Sequence, residues 1–159
     1  MPILHTQITA QARTPSGLTI PILPGDAMRA RGPVVQVTVG PAQLLVDQWT
    51  QQGITLPVPQ VGEALIDTGA SGTCIDDATA QQLGLPVVDV MQMVSASHTS
   101  QQNIYPIRLV VAGGLRFDVP RAMGAVLAPQ GLVALIGRDV LQRCTLFYNG
   151  PAGEFTLAI

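Results

Sequence analysis

The stretch Ala64-Leu65-Ile66-Asp67-Thr68-Gly69-Ala70-Ser71 constrains this chain more than any other. Two apolar residues run into a lone acid, and a small hydroxyl residue, a glycine and an alanine follow. Leu65 and Ile66 read as the end of a buried strand. Asp67 then sits where the strand breaks into a tight turn, and Gly69 lets another chain approach closely. An acid carried by a rigid strand to an uncrowded turn is well placed for chemistry. The competing reading makes Asp67 the cap of a helix starting at Thr68. Gly69 and Gly72 count against it, because glycine is a poor residue for a first helical turn.

The 159 residues suit one domain, and the chain is long enough to bury a core without staples. Hydrophobic residues make up 47% of it and charged residues only 11%, against about 25% in ordinary soluble proteins. All eight basic residues are Arg, and the net charge is −2. That balance gives no reason to expect nucleic acid or a membrane surface as a partner. Fifteen Gln carry part of the solubility. The remaining neutral surface invites an interface with another copy, since monomers rarely expose large apolar patches.

Residues 1–20 lack both a basic start and a continuous apolar run, so no signal peptide is expected. Residues 122–137 are the longest charge-free apolar stretch. They are shorter than the roughly 20 residues of a spanning helix, and Pro129-Gln130-Gly131 interrupts them. Cys74 and Cys144 stand among apolar neighbours and read as buried free thiols of a reducing compartment. A cytoplasmic protein is the expectation. These cysteines and the distant His5 and His98 have no metal-ligand spacing, so neither a metal nor another cofactor is expected.

Along the chain, residues 1–32 read as an extended N-terminal arm broken by Pro15, Pro21 and Pro24, and residues 33–159 as the main domain. Val34 to Val39 is a strand bounded by Gly-Pro on both sides. Pro41 to Gln52 reads as a helix with Leu44, Leu45, Gln48 and Trp49 on one face and Gly53 as its stop. Residues 54–60 carry two prolines and read as irregular. Thr73 to Ile75 returns as a strand, and Asp76 or Asp77 caps a short helix over residues 78–83. A hairpin with a polar tip spans about residues 91–106, and Gly113-Gly114 marks a second hairpin turn. Leu132 to Ile136 is a short run of the kind buried on both faces. Two last strands flank the Asn149-Gly150-Pro151 turn. The sum is mostly β with two or three short helices.

Ala134-Leu135-Ile136-Gly137-Arg138-Asp139-Val140-Leu141 lies 70 residues beyond the first motif (137 against 67). Asp-Thr-Gly-Ala after two apolar residues, followed at this distance by an apolar pair and Gly-Arg-Asp, resembles the two signatures of retropepsin-like aspartic proteases. The added N-terminal residues and the helix around Trp49 resemble the bacterial and eukaryotic retropepsin-like branch. The resemblance implies a single-domain acid-protease β-barrel. It also implies an aspartic endopeptidase whose partners are polypeptide substrate and a second copy of itself.

Peptide hydrolysis without a metal needs a base to deprotonate water and an acid to protonate the carbonyl oxygen. Two carboxylates sharing one proton supply both. This chain has one Asp-Thr-Gly, so the resemblance implies a homodimer with Asp67 from each subunit on the two-fold axis. By the resemblance, Asp67 is the catalytic acid, Thr68 bonds across the axis, and Gly69 offers backbone to substrate. Ala70 stands where pepsin-like enzymes commonly have Ser, which predicts a less acidic optimum. Gly137 and Arg138 buttress the loop. Met93, Ser95, Ala96, Ser97 and His98 belong to the flap that closes over substrate.

Two positions depart from the viral pattern. Residues 95–100 contain no glycine, whereas viral flaps are glycine-rich at the tip. Ser71 replaces the Asp that pairs with the buttress Arg, so Arg138 needs another partner, such as a backbone carbonyl. Two other functions are weighed against the protease. One is a non-catalytic module of the same fold that binds peptides or partners, which intact Asp67, Thr68 and Gly69 disfavour. The other is a serine hydrolase using Ser71, which fails because Thr73 stands where the nucleophile elbow needs glycine.

Overall fold

The computed structural model describes residues 2–94 and 99–159. Its strands are β1 (Ile3–Gln7), β2 (Ala10–Arg13), β3 (Thr19–Ile22), β4 (Val34–Pro41), β5 (Gln60–Ile66), β6 (Cys74–Asp76), β7 (Asp89–Val94), β8 (Thr99–Val111), β9 (Leu115–Ala125), β10 (Leu132–Ile136), β11 (Thr145–Asn149) and β12 (Glu154–Ala158). Four short helices interrupt them: α1 (Pro24–Arg31), α2 (Gln43–Gln51), α3 (Asp77–Gln82) and α4 (Arg138–Leu141). The fold is mostly β, as the alternating and continuous apolar runs predict.

The main sheet runs β4-β5-β10-β6-β9-β8-β7, and a further pairing of β4 with β8 joins its ends. Six strands thereby close into a barrel, and β7 hangs outside the ring as the partner of β8. Closure removes the open edges that an antiparallel sheet otherwise presents. Val37, Val39, Ala64, Ile66, Ile75, Ile107, Leu109, Phe117, Ala134 and Ile136 are buried in its core. β10 is central. It runs parallel to β5, with Ile136 opposite Ile66, and antiparallel to β6, with Leu135 opposite Cys74. This is why residues 132–136 are apolar throughout.

A second, three-stranded sheet is ordered β1-β12-β11. Phe155 and Leu157 of β12 are fully buried and belong to the same core as the barrel. Residues 1–32 are more structured than an extended arm. They provide β1, the β2–β3 hairpin and α1, whose Ala27 and Met28 are buried in the core. Helix α1 forms because Pro24 fits its first turn, Asp26 lies at its N-terminal end and Arg29 and Arg31 at its C-terminal end.

Helix α2 starts later than the sequence suggests. Pro41 ends strand β4 and Ala42 occupies the cap position without a side-chain acceptor. The missing acceptor comes from β9: Gln43 N donates to Asp118 Oδ1 at 3.0 Å. Arg108 on β8 holds the same carboxylate through Nε at 3.1 Å and Nη2 at 2.6 Å. Asp76, not Asp77, caps α3. Its carboxylate accepts from Thr79 N, and it also accepts from Leu127 N at 2.9 Å and Ala128 N at 3.0 Å. One buried acid therefore ties α3 to the segment between β9 and β10. Burial alone pushes the Asp76 carboxyl pKa up, but these backbone donors and the Thr79 hydroxyl outweigh it and hold the pKa below the ordinary value.

Candidate active site

Asp67 stands at the C-terminal end of β5, half-buried. Its backbone N–H donates to Ile136 O at 3.0 Å, which continues the parallel β5–β10 ladder by one residue. Beyond it the chain turns. Asp67 Oδ1 accepts from Gly69 N at 2.8 Å and Ala70 N at 3.2 Å, the local closure that Asp favours in turns. Thr68 and Gly69 are exposed beside it, and Ser71 is exposed one residue beyond Ala70.

The Gly137-Arg138-Asp139 turn locks this loop. Arg138 Nη1 donates to Thr68 O at 3.0 Å and Gly69 O at 2.9 Å. Arg138 N donates to Ala70 O at 3.0 Å and Asp139 N to Ser71 O at 3.2 Å. Four successive carbonyls, from residue 68 to residue 71, are thus held by two consecutive residues. The arrangement satisfies both partners. Gly137 gives α4 no side-chain cap, so the orphan N–H groups of its first turn need outside acceptors. Arg138, expected to need a partner in place of the acid that Ser71 replaces, has backbone carbonyls.

Gly137 is required by space. A Cβ there would collide with the carbonyl carbon and oxygen of Gly72. That close approach comes from the two motifs lying against each other, although 70 residues separate them in sequence. Thr73 sits beneath the contact, fully buried. Its hydroxyl donates to Asp139 Oδ1 at 2.7 Å and accepts from Gly137 N at 3.1 Å. Neither Thr73 nor the Asp139 side chain was singled out from the sequence. Asp139 was visible as the last residue of Gly-Arg-Asp, but its partner Thr73, just before β6, was not.

The other candidates lie as follows. Met93 is in β7, its backbone paired with Ser100 of β8. Ser95, Ala96, Ser97 and His98 lie outside the described residues. Cys74 is half-buried near the loop. Burial pushes its thiol pKa up, and the charges of Asp139 and Asp67 add to the effect, which disfavours the reactive thiolate. Cys144 is the second free thiol. His5 bonds Thr156 Oγ1 at 2.9 Å on the three-stranded sheet, where Ile3 to Gln7 pair with β12. Among the described residues no group of three or more His, Cys, Asp or Glu is placed to hold a metal ion. No helix among them is long and apolar enough to cross a membrane.

A closed β-barrel that presents Asp-Thr-Gly at a strand end, locked by a Gly-Arg-Asp turn from an adjacent parallel strand, has the form of a retropepsin-like aspartic protease. The family model described as aspartyl protease matches residues 53–140, more than half of the chain and both motifs. The chain belongs to that family. Among solved structures it is similar to the crystal structure of a retropepsin-like aspartic protease from Rickettsia conorii. The two are 16% identical, 98% of this chain and 90% of that one are covered, and the TM-score is 0.44. A comparison with curated proteins finds no match.

Proposed function

We propose that this protein is an aspartic endopeptidase that acts as a homodimer, with one Asp67 from each copy forming the catalytic pair. The observation that carries the reading is the locked loop. Asp67 is delivered by β5, its loop is held by Arg138 and Asp139 through four carbonyls, and Thr68 and Gly69 stay exposed beside it. A rigid, uncovered acid is what a shared water site needs.

In this reading two carboxylates close together share one proton, because both cannot ionise at that separation. The ionised one removes a proton from water as its oxygen attacks the scissile carbonyl carbon. The protonated one gives its proton to the carbonyl oxygen, producing a neutral tetrahedral diol. Collapse of the diol transfers a proton to the leaving nitrogen, breaks the C–N bond and restores the pair. Thr68 and Gly69 face the partner and substrate, Gly137 and Arg138 hold the loop without reacting, and the segment over about residues 91–106 serves as the flap. The residue 1–32 segment is a fixed part of the protomer in this proposal. The two free thiols fit a reducing, cytoplasmic compartment.

Asp67→Asn tests the reading cleanly. Asn Oδ1 can still accept from Gly69 N and Ala70 N, so the loop keeps its shape while the shared proton is lost. Incubated with unstructured polypeptides from pH 4 to 7, the wild type is expected to cleave and Asp67→Asn to be inactive at unchanged thermal stability. Cleavage surviving the substitution sinks the proposal. A wild type that dimerises and binds peptide but never cuts favours a non-catalytic binding module.

A further inference from the structure

We propose that two side-chain clamps, Asn103–Tyr105–Asp77 and Asp89–Arg121, set the angle at which the β7–β8 ribbon leaves the barrel. Tyr105 and Arg121 are then positioning residues for substrate binding, acting through the ribbon. The inference rests on the reading above that the segment over about residues 91–106 serves as the flap, and it names what holds that segment in place.

β8 has two halves. Ile104 to Val111 pair with β9, and Ile107 to Val111 pair also with β4. Pro106 O accepts from Ala42 N at 3.2 Å, at the start of α2. This half is part of the barrel. Thr99 to Asn103 pair with β7 alone, and β7 pairs with β8 alone, among the described residues. Val90 and Met91 of β7 are exposed. A two-stranded ribbon is marginally stable by itself, so its direction is decided where it meets the barrel.

At that junction β9 carries a bulge. Tyr105 lies opposite Ala122 and Ile107 opposite Val119, so Pro120 and Arg121 together face Pro106. The alternation of buried and exposed residues along β9 breaks at this point, with both Pro120 and Arg121 exposed. A bulge re-aims a side chain, and Arg121 is brought to β7: its Nη2 donates to Asp89 Oδ2 at 2.6 Å. Asp89 Oδ1 accepts from Val90 N at 2.7 Å, which fixes the carboxylate on its own strand.

The other strand is tied through a buried residue. The Tyr105 hydroxyl donates to Asp77 Oδ1 at 3.2 Å and accepts from Asn103 Nδ2 at 3.2 Å. Burial pushes the hydroxyl pKa up; Asn103 opposes this and the Asp77 charge adds to it, so the group stays a donor. Asp77 lies in the first turn of α3, which Asp76 anchors to Leu127 and Ala128. Gly124 leaves room for the contact, because a Cβ there would meet Asp77 Oδ1 and Tyr105 Cε2. Each strand of the ribbon thus has one residue, Asp89 or Asn103, tied to the body of the protein. Two tethers on different strands restrict a rotation that one tether would allow.

Tyr105→Phe and Arg121→Gln release the clamps singly, and the double variant releases both. Two quantities are read: KM and kcat for an unstructured polypeptide, and hydrogen exchange of the Val88 amide, which donates to Ile104 O at 2.9 Å at the foot of the ribbon. KM is expected to rise about 10-fold for Tyr105→Phe, the scale of a hydrogen bond to a carboxylate. For Arg121→Gln the expected rise is about 2–5-fold, the scale of an exposed ion pair. The double variant is expected to show at least the product, with kcat within about 2-fold of wild type. Val88 exchange is expected to accelerate in the same order while Ala112 N, which donates to Gln36 O at 3.0 Å, keeps its protection. Arg116→Gln removes the same charge from β9 and is expected to change neither quantity. A double variant with wild-type KM or wild-type Val88 exchange overturns the proposal, as does equal acceleration at Ala112, the mark of a general loss of stability. A fall in kcat at constant KM also overturns it, since the effect would then lie at the Asp67 loop. If the wild type binds peptide without cutting it, the same shifts read in peptide Kd keep the clamps and remove the proteolytic reading. A wild type that neither binds nor cuts peptide removes both.

Discussion

The Thr73 hydroxyl donates to Asp139 Oδ1 at 2.7 Å while it accepts from Gly137 N at 3.1 Å. One buried oxygen therefore connects the residue just before β6, which follows the first motif, to the turn that forms the second. Thr73→Val keeps the shape and removes the hydroxyl, leaving a buried Gly137 N–H unpaired. The expected cost is about 1–3 kcal/mol, read as a lower urea midpoint at an unchanged slope. Thr73→Ser keeps both bonds and loses only a methyl group, so its loss is expected to be the smaller of the two. Equal losses would show that packing, not the hydroxyl, secures the turn.

Gly137→Ala tests the contact between the motifs directly. The new methyl would meet the Gly72 carbonyl group, which is backbone and cannot rotate away. Overpacking of this kind costs about 1–3 kcal/mol. Because the displaced backbone belongs to the Asp67 loop, cleavage is expected to fall further than stability alone explains. Gly84→Ala is the control. It has a positive φ of +61° but open space around it, so it is expected to cost about 1–2 kcal/mol from backbone strain alone and to leave cleavage intact.

Arg138 acts through geometry. One guanidinium nitrogen serves two adjacent carbonyls, at 3.0 Å and 2.9 Å, and the planar fork fixes its direction. Lys keeps the charge but not that fork. Arg138→Lys is expected to lower kcat by about 10–100-fold, the scale of a small misplacement of a reacting group, with KM nearly unchanged. A KM rise at constant kcat would instead mark Arg138 as a substrate-binding residue.

Asp76 makes the fold sensitive to acid. Its folded pKa lies below the ordinary carboxyl value: burial opposes ionisation, but the Leu127, Ala128 and Thr79 backbone donors outweigh it. Its contribution to stability is therefore present above about pH 4. It is lost as pH falls through the lowered folded value, because the unfolded chain takes up the proton first. Asp76→Asn keeps one acceptor oxygen and turns an NH2 group toward donors, for a loss of about 2 kcal/mol near pH 6. Urea midpoints measured from pH 6 down to pH 2.5 are expected to converge for the two proteins. A constant gap would mean that the carboxylate charge plays no part.

Asp118 caps α2 from another element, since it accepts from Gln43 N and from Arg108. Asp118→Ala is expected to destabilise the protein by about 1–2 kcal/mol, the range for loss of an N-cap acceptor, and to lower the helical signal near 222 nm. Cleavage is expected to persist, since the residues of this network lie outside the Asp67 loop and its buttress.

Local chemistry made much of this protein legible in its sequence. The strand ending at Asp67, the apolar run of β10, the glycine turn at residues 113 and 114 and the hairpin of β11 and β12 each depend on periodicity and turn residues, which are short-range properties. The two site motifs were legible for the same reason, because each is a continuous stretch. Helix α1 was not, because three prolines mask an element whose stability comes from burying Ala27 and Met28. The start of α2 was misplaced because its cap, Asp118, lies 75 residues away.

The sequence by itself determined that an acid would end a buried strand and that a Gly-Arg-Asp turn would follow a second one. Only the tertiary structure decided that β10 runs parallel beside β5, with Ile136 opposite Ile66. That register brings Arg138 to the Thr68 and Gly69 carbonyls and Thr73 to Asp139. The physical reason is that a hydrogen bond between residues about 70 positions apart has no local signal. It exists only once barrel closure has set the strand order and brought the two turns into contact.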